Sequence, residues 1–378
     1  MHLLPLAGNS SHGSNTISRT LARWFPTPKL LAPRAAGIDI SDASIKWLAL
    51  EPFKSGSRVV SYGREPLAEG VVVEGVVHDE AALAEVLHTA KRHLGNIEHA
   101  HASLPEESAF VFSMSVPEKT PRDQVLSMIE FELNTRVPIA PNDAIYDFSV
   151  ITERDGRGSK EIGVVVVPRE IAESYAAAFD MAGIGLLSLE LDARSIARAI
   201  NSPEGGDSIS LSVDFGRSRT GFAVLKSGIP IFTSTVAVGG EKMTNTLIEK
   251  MSMSLEEAEK FKDNEGLLAL TRGAKSGKGE VLAAAAGALA DEVAKHYHYW
   301  DTRRNEMGER MTPVERVLLL GGSSNLKGLA DYISLRVQAP CDRPNVWRNV
   351  CSFDEYIPPI DRPTSFQFAT AIGLALRS

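Results

Sequence analysis

Residues 38–50 read Ile-Asp-Ile-Ser-Asp-Ala-Ser-Ile-Lys-Trp-Leu-Ala-Leu, and residues 213–225 read Val-Asp-Phe-Gly-Arg-Ser-Arg-Thr-Gly-Phe-Ala-Val-Leu. Both stretches have the same plan: an apolar strand that carries one Asp, a turn of small residues, and a second strand with alternating polarity. In this alignment Asp39 corresponds to Asp214, and Ser41 corresponds to Gly216. The duplication predicts two related halves, each of which begins with a β-hairpin.

The turn of each hairpin is suited to binding a phosphate group. Successive backbone N–H groups in such a turn, with a hydroxyl or two, form a concave anion site. The Asp before the turn can hold a hydrated Mg²⁺, which keeps most of its waters in proteins, so Asp39 and Asp214 are the candidate metal-binding residues. A lone Asp before a turn is common in hairpins, but two facing copies indicate one nucleotide held between two halves. The candidate nucleotide-binding residues in the two turns are Ser41, Asp42, Ser44, Lys46, Gly216, Arg217, Ser218 and Thr220.

A third candidate phosphate loop lies further along the chain. The apolar run 317–320 predicts a strand, and Gly321, Gly322 and Ser323 follow it before a predicted helix that begins at about residue 326. Backbone can approach a ligand closely at a Gly-Gly turn, and a helix N-terminus favours an anion. Alone this is an ordinary strand-to-helix connection, but after two phosphate-type hairpins it predicts a third side of the same site.

The order of these elements resembles that of the actin-like ATPase superfamily, which includes actin, sugar kinases, heat-shock chaperones and the division protein FtsA. Within it, the chain is similar to the PilM family of type IV pilus assembly from about residue 35 to the end. In that family Gly usually stands where Ser41 stands here, and a Ser can replace it only if the turn does not require positive φ. The segments that carry the similarity are 37–40, 44–46, 131–139, 147–148, 238–241, 254–259 and 369–376.

The resemblance implies an α/β, actin-like ATPase fold: two related halves around a nucleotide cleft, with a small α+β domain inserted in the first half. It implies ATP and Mg²⁺ as cofactors, with Gly239 and Gly240 also at the nucleotide. It further implies that Glu259 and Lys262 hold the ribose and adenine, since residues three apart share one helical face. An ordinary surface ion pair is the alternative interpretation of Glu259 and Lys262.

The resemblance also gives one candidate catalytic residue, Asp192, which follows a predicted strand at the start of a predicted helix. An acid at this place in related ATPases positions the attacking water, although Asp is also a favoured helix N-cap, and both interpretations stay open. The family resembles nucleotide-dependent scaffolds more than fast enzymes, so we expect at most a slow ATPase. The Gly/Lys-rich stretch 273–278 lacks the spacing of a Walker A loop and the Ser or Thr after its Lys, and it predicts a surface loop.

Composition excludes several classes of protein. The chain has 378 residues, which is long enough for two cores, and a formal net charge of −8, which argues against a nucleic-acid binder. No apolar run approaches the roughly 18 residues that span a bilayer, and the start of the chain lacks the features of a signal peptide. The two cysteines, Cys341 and Cys351, have no metal-type spacing, so the pattern favours a reducing cytoplasm.

The predicted organisation has four parts. Residues 1–34 form a poorly ordered arm, and whether it touches a membrane is left open. The first actin-like half comprises 35–103 and is completed by 188–206 and 341–378. An inserted α+β domain covers 104–187, and the second actin-like half covers 207–340.

The function implied by the resemblance is that of an ATP-binding cytoplasmic scaffold in the inner-membrane platform for type IV pilus assembly. Its implied partner is the cytoplasmic N-terminal tail of a PilN-like membrane protein, with other pilus assembly components, so contact with the membrane is indirect; self-association is left open. The tail would lie between the inserted domain and the first half. An FtsA-like division scaffold that polymerises at the membrane is the alternative. The candidate partner-binding residues are Phe131, Asn134, Arg136, Pro138 and Ile139.

Overall fold

Two five-stranded sheets with the same strand topology form the centre of the molecule. The structure is a computed structural model and describes residues 33–152, 158–201, 208–270, 277–304 and 310–377. The predicted arm, apart from its last two residues, and the interior of the predicted loop 273–278 lie outside the described residues. The first sheet consists of β1 (Ala35–Ser41), β2 (Ser44–Phe53), β3 (Gly56–Pro66), β6 (His99–Leu104) and β10 (Gly185–Leu191). The second consists of β11 (Ile209–Phe215), β12 (Thr220–Lys226), β13 (Ile229–Val236), β14 (Val314–Leu320) and β15 (Cys341–Asp342).

Both sheets are built in the same way. Their strand orders are β10-β6-β1-β2-β3 and β13-β12-β11-β14-β15. In each sheet three antiparallel strands come first in the chain, and two parallel strands are added beside the first of them. We call the units built on these sheets the first half and the second half. The predicted fold, with two related α/β halves, is confirmed.

Helices cover the sheets because their apolar residues recur on one face. In α1 (Glu80–Leu94) the buried positions are Leu83, Leu87, Ala90 and Leu94, and Asp79 caps the helix by accepting from the N–H of Ala82. The second half carries α5 (Gly240–Met251), α6 (Leu255–Asn264), α7 (Lys278–Asp301) and α8 (Leu329–Val337). Further helices are α4 (Asp192–Ile200), α9 (Arg362–Ser365) and α10 (Ala369–Ala375), and β4 (Val72–Val73) pairs with β5 (Val76–Val77) in a short ribbon.

A separate three-stranded sheet is inserted in the sequence of the first half, between β6 and β10. It has the order β7-β9-β8, with β7 (Phe110–Pro117), β8 (Ala144–Thr152) and β9 (Ser159–Pro168), and we call it the inserted sheet. The helix α2 (Arg122–Arg136) covers it, and its Val125, Ile129 and Leu133 belong to a small apolar cluster with the sheet. This part of the chain therefore has a core of its own.

The next helix, α3 (Arg169–Met181), belongs to a different core. Its Tyr175 and Phe179 are fully buried in the apolar cluster of the first half, together with residues of β1, β6 and α1. The predicted inserted domain extended to residue 187, whereas α3, which lies before that boundary, packs in the core of the first half. The reason is that α3 is amphipathic and its apolar face meets the first sheet and α1, whereas the inserted sheet is already covered by α2.

The last described helix closes the first half. All seven residues of α10 are buried, and the helix packs on β1 and α4. A Cβ at Gly37 would overlap the carbonyl oxygen of Ala371, and one at Gly373 would overlap the carbonyl oxygen of Ser195. Glycine at both positions therefore allows backbone to pack directly on backbone. Within the described residues, no helix combines the length and the apolar character needed to cross a membrane.

Candidate functional site

The tip of the first hairpin is held by short polar contacts. Asp39 and Lys46 are cross-strand neighbours on β1 and β2, and their carboxylate and ammonium groups lie 2.8 Å apart with both side chains mostly buried. The hydroxyl of Ser41 donates to the carbonyl of Ser44 at 2.9 Å. Ser41 is not among the residues with positive φ, so serine can take the place of the family's glycine without backbone strain.

The second hairpin tip is hydrogen-bonded to the neighbouring loops of the second half. The carbonyl oxygen of Gly216 accepts from the backbone N–H of Gly240 at 3.1 Å and from the hydroxyl of Ser323 at 2.9 Å. The carbonyl of Arg217 accepts from the N–H of Glu241 at 2.9 Å. The second hairpin tip, the start of α5 and the turn that contains Ser323 therefore form one connected surface.

The turn after β14 differs from the sequence prediction in its continuation. Gly321 has a φ of +81°, which favours glycine, and a 3-10 turn, Gly322–Asn325, follows before α8 begins at Leu329. The predicted helix start at about residue 326 was therefore too early. A Cβ on Gly322 would meet only the Cβ of Gln367, at 3.6 Å. The backbone here faces open space that a ligand could occupy.

These elements enclose a cavity of about 560 Å³ between the two halves, which is within the range of small-molecule sites. It brings together most of the residues predicted from the sequence. Those that line it are Asp39, Ser41, Asp42, Ser44, Lys46, Asp192, Asp214, Gly216, Arg217, Ser218, Gly240, Glu259, Lys262, Gly321, Gly322 and Ser323.

Two predicted nucleotide-binding residues do not line the cavity. Thr220 is fully buried, and its hydroxyl donates to the carbonyl of Val238. Gly239 is packed against the second hairpin tip, so that a Cβ there would overlap the carbonyl oxygen of Arg217. Neither residue lines the cavity, because both pack between the second hairpin tip and the start of α5; their role at a nucleotide stays a prediction.

Glu259 and Lys262 lie on one face of α6, as predicted. The ammonium group of Lys262 is 3.1 Å from the carboxylate of Glu259 and donates to the hydroxyl of Thr244 at 2.6 Å. Lys262 is only 8% exposed, while about half of the Glu259 side chain remains accessible. A buried lysine held by polar partners on two helices is not an ordinary surface ion pair, so the alternative interpretation does not describe it.

Asp192 is the first residue of α4 and does not act as its N-cap. The N-cap position is Leu191, and no side chain caps the helix there. Instead, one carboxylate oxygen of Asp192 is buried without a hydrogen-bond partner, which is rare for a buried polar atom. Burial, followed by the negative charges of Glu106, Asp39 and Asp214, raises the pKa of Asp192 well above its usual value.

Glu106 is a site residue that sequence reasoning missed. It lines the cavity just after β6, and its carboxylate accepts from the N–H of Ala193 at 2.7 Å. Burial, with the charges of Glu107 and Asp214, raises the pKa of Glu106 to about 8. The sequence around Glu106 gave no signal of this: Glu106 lies at the same edge of the sheet as the first hairpin tip because β6 is parallel to β1, and this pairing is visible only in the structure.

Asp214 lies in the same group of carboxyl groups. Burial and the charge of Asp39 raise the pKa of Asp214 to about 6, although Lys46 opposes this effect.

Acidic side chains outnumber basic ones among the residues that line the cavity. The acidic ones are Asp39, Asp42, Glu106, Glu107, Asp192, Asp214, Glu241, Glu259 and Asp263, and the basic ones are Lys46, Arg64, Arg217, Arg219 and Lys262.

Arg219 connects the two halves across the mouth of the cavity. From the second hairpin tip it reaches Asp42 on the first tip at 2.8 Å and Glu107 at 2.6 Å. The carboxylate of Asp42 also accepts from the N–H groups of Glu74 and Gly75. The two tips are therefore joined by one arginine.

The predicted partner-binding residues lie away from this cleft, on and after α2. Phe131 is 81% exposed, so it is not part of the core. Asn134, Arg136 and Pro138 are exposed as well. The guanidinium of Arg136 lies over the ring of Phe112 at 5.0 Å, and Ile139 packs against the core of the inserted sheet. These residues form a partly apolar surface on the inserted sheet and its helix.

Comparison with known proteins gives a consistent result. A family model described as type IV pilus assembly protein PilM matches residues 37–378. A solved PilM–PilN type IV pilus biogenesis complex is 20% identical, with 91% of this chain and 98% of that chain covered and a TM-score of 0.72. The ethanolamine utilization protein EutJ of Carboxydothermus hydrogenoformans is 17% identical, with 93% and 92% covered and a TM-score of 0.51. MreB5 of Spiroplasma citri, solved with AMPPNP, is 12% identical, with 90% and 95% covered and the same TM-score.

Proposed function

Because this chain belongs to the PilM family of type IV pilus assembly proteins, we propose that it is an ATP-binding scaffold at the cytoplasmic face of the inner membrane. In this role it docks the cytoplasmic N-terminal tail of a PilN-like membrane protein within the pilus assembly platform. The observation that carries the proposal is the single cavity lined by both hairpin tips and the Gly321-Gly322 turn. The family membership favours this role over that of an FtsA-like division scaffold.

The residues of the cleft fit a nucleotide. Backbone at Gly322 faces open space, and the N–H groups and hydroxyls of the two hairpin tips would bind the phosphates. Lys262, fixed by Glu259 and Thr244, would lie with Glu259 against the ribose and adenine. These arrangements support ATP as the ligand.

The charge of the cleft supports the binding of a cation together with the nucleotide. Since acidic groups outnumber basic ones among the lining residues, a bare triphosphate would be repelled. Among the described residues, no three His, Cys, Asp or Glu side chains are grouped as a metal site. A Mg²⁺ ion, which commonly keeps several waters and uses the substrate's phosphates as ligands, needs no such group. Asp39 and Asp214 would hold its waters.

Turnover is expected to be slow at most. Asp192, with its unpartnered buried oxygen, is the residue we propose to orient a water for attack on the terminal phosphate. Positioning is most of what a protein contributes to phosphoryl transfer. Because orientation of the water by Asp192 is the only catalytic contribution proposed, turnover should be at most slow.

A thermal-shift experiment tests the nucleotide site. ATP–Mg²⁺ at about 100 times its dissociation constant should stabilise the folded state by roughly 2.7 kcal/mol. For a chain of this size we expect a rise of about 5 °C in Tm, at about 2 °C per kcal/mol. Asp214→Ala should remove most of the Mg²⁺-dependent part, and Gly322→Val should remove nearly all of the shift, because its side chain would project into the cavity.

The matched control is Lys278→Ala. Lys278 is the first residue of α7, and its ammonium lies 5.9 Å from the centre of the Phe261 ring, away from the cavity lining. The ATP–Mg²⁺ shift should be unchanged in this variant. Absence of a shift in the wild-type protein at millimolar ATP–Mg²⁺ contradicts the proposed site. So does a shift that is kept in Gly322→Val but lost in Lys278→Ala.

A further inference from the structure

We propose that the inserted sheet couples the nucleotide cleft to partner docking, because the sheet packs against the second half on one side and against the first half on the other. This inference rests on the proposed function and adds the regulation of its two sites. If the halves change their angle when the cleft fills, the inserted sheet must move relative to at least one of them. The docking surface around Phe131, which α2 carries on this sheet, moves with it.

An ion pair joins the inserted sheet to the second half. Lys226 at the end of β12 and Glu161 on β9 lie 2.6 Å apart, and their side chains are only 15% and 20% exposed. Because both charges are largely shielded from solvent, their attraction is screened much less than that of a surface pair. The contact therefore resists separation of the sheet from the second half.

Close packing surrounds this ion pair. A Cβ on Gly163 of β9 would lie 2.8 Å from a methyl carbon of Ile229 and 3.1 Å from the carbonyl oxygen of Pro230. Ile151 of β8 belongs to the apolar core of the second half. The inserted sheet thus contributes a side chain to the core of the second half and packs closely against the start of β13.

The segment that leads into the inserted sheet, between β6 and β7, also contacts the second half. Glu107, between β6 and β7, accepts from Arg219 at 2.6 Å and from the hydroxyl of Thr235 at 3.1 Å. Arg219 also bridges the hairpin tips at the cleft, as described above. A ligand that moves the second hairpin tip therefore also displaces Glu107 and the segment that leads from β6 into β7.

The other attachment is to the first half. Val165 and Val167 at the end of β9 belong to the first core, and β9 leads directly into α3, which is buried in that core. The inserted sheet therefore spans the two halves, with apolar anchors in both. Because packed interfaces switch between discrete arrangements more readily than they deform, we expect closure of the cleft to shift the sheet as a unit.

The test is a linkage measurement. The affinity of a labelled peptide with the sequence of the PilN-like protein's cytoplasmic tail is measured by fluorescence anisotropy, with and without saturating ATP–Mg²⁺. We expect at least a five-fold change, the lower end of usual coupling, and the same factor in ATP affinity when the peptide is added. In Lys226→Met and in Gly163→Val the factor should fall toward one, while each ligand alone still binds.

A second readout does not need the peptide. ATP–Mg²⁺ should change amide hydrogen exchange in β9 and α2 of the wild-type protein, and this response should be lost in Lys226→Met. Lys295→Met is the matched control, because Lys295 forms an exposed pair with Glu292 on α7, and it should keep both the response and the coupling factor.

The outcomes separate the two ideas. If ATP–Mg²⁺ binds but neither the peptide affinity nor the exchange of the inserted sheet responds, the coupling is wrong and the proposed nucleotide site stands. If ATP–Mg²⁺ does not bind the wild-type protein, the proposed function fails and the coupling fails with it. If coupling persists in both Lys226→Met and Gly163→Val, the route through the inserted sheet is wrong.

Discussion

Glu106→Gln should make the ligand-free protein more stable at alkaline pH. Burial, then Glu107 and Asp214, raise the pKa of Glu106 to about 8 from its ordinary value of 4.5. Between these two values the folded state holds a proton that the unfolded chain has released. Stability therefore falls as the pH rises from about 4.5 to about 8. Glutamine keeps the size of the side chain and an oxygen that can accept from the N–H of Ala193, but it carries no charge.

The structure sets the size of the effect. At about 1.36 kcal/mol for each pH unit, the shift of Glu106 corresponds to an upper limit of about 5 kcal/mol. Because the pKa of Asp192 is raised in part by the charge of Glu106, the two groups titrate together, and we take roughly half of this limit, about 2 kcal/mol, as the expected effect of Glu106→Gln. For this chain length that is about 4 °C in Tm.

The assay is a series of thermal scans from pH 5 to pH 8.5 without nucleotide. Wild-type protein and Glu106→Gln should have similar Tm values at pH 5, and the variant should melt about 4 °C higher at pH 8.5. A variant that is less stable than the wild-type protein at pH 8.5, or a difference that does not change with pH, would refute the reasoning. The first result would mean that Glu106 is stabilised as a carboxylate by its surroundings, and the second would mean that folding does not shift the pKa of Glu106.

Two further predictions concern Glu190 and Phe131. Burial alone would raise the pKa of Glu190, but Arg198 and Arg377 lower it to about 2; its stabilisation is therefore present above pH 4.5 and lost as the pH falls toward 2. Glu190→Gln should lower the free energy of unfolding by about 3 kcal/mol at pH 7. It should also weaken the loss of stability between pH 4.5 and pH 2 in pH-dependent unfolding, and an unchanged loss in that range would contradict the assignment. Phe131→Ala should weaken binding of the PilN-like tail peptide about 30-fold, as for an aromatic hot spot, whereas Leu335→Ala, an equally exposed residue on α8, should not; equal effects in a binding titration would rule out the α2 surface.

The sequence predicted the two halves because a hairpin is a local pattern. Each hairpin contains both of its strands and its turn within a short stretch, so the pattern around Asp39 could be compared directly with that around Asp214. The position of a residue relative to the cleft was harder to predict. Thr220 directly follows the second tip, and Gly239 precedes α5 after the whole of β13. Neither lines the cavity, because α5 docks on the turn at this place, and sequence spacing does not reveal that packing.

Glu106 and the limits of the inserted domain required the tertiary structure. Glu106 lies in a Pro-Glu-Glu run that resembles any acidic turn, and only the parallel pairing of β6 with β1 brings it to the cleft. The helix α3 has an apolar face that would fit either neighbouring sheet. Competition between two possible packing partners decided its place, and the sequence of α3 alone does not contain that information.

The burial of α10 over Gly37 has a consequence for the order in which the protein folds. β1 is made early during synthesis, but the helix that covers its apolar face is made only after the whole second half has been translated. Contacts between segments so far apart in sequence form slowly. The second half, whose strands β11–β14 and helices α5–α7 are continuous in the chain, can therefore fold while the first sheet still exposes an apolar face. During that interval the nascent chain is most open to aggregation and to chaperone binding.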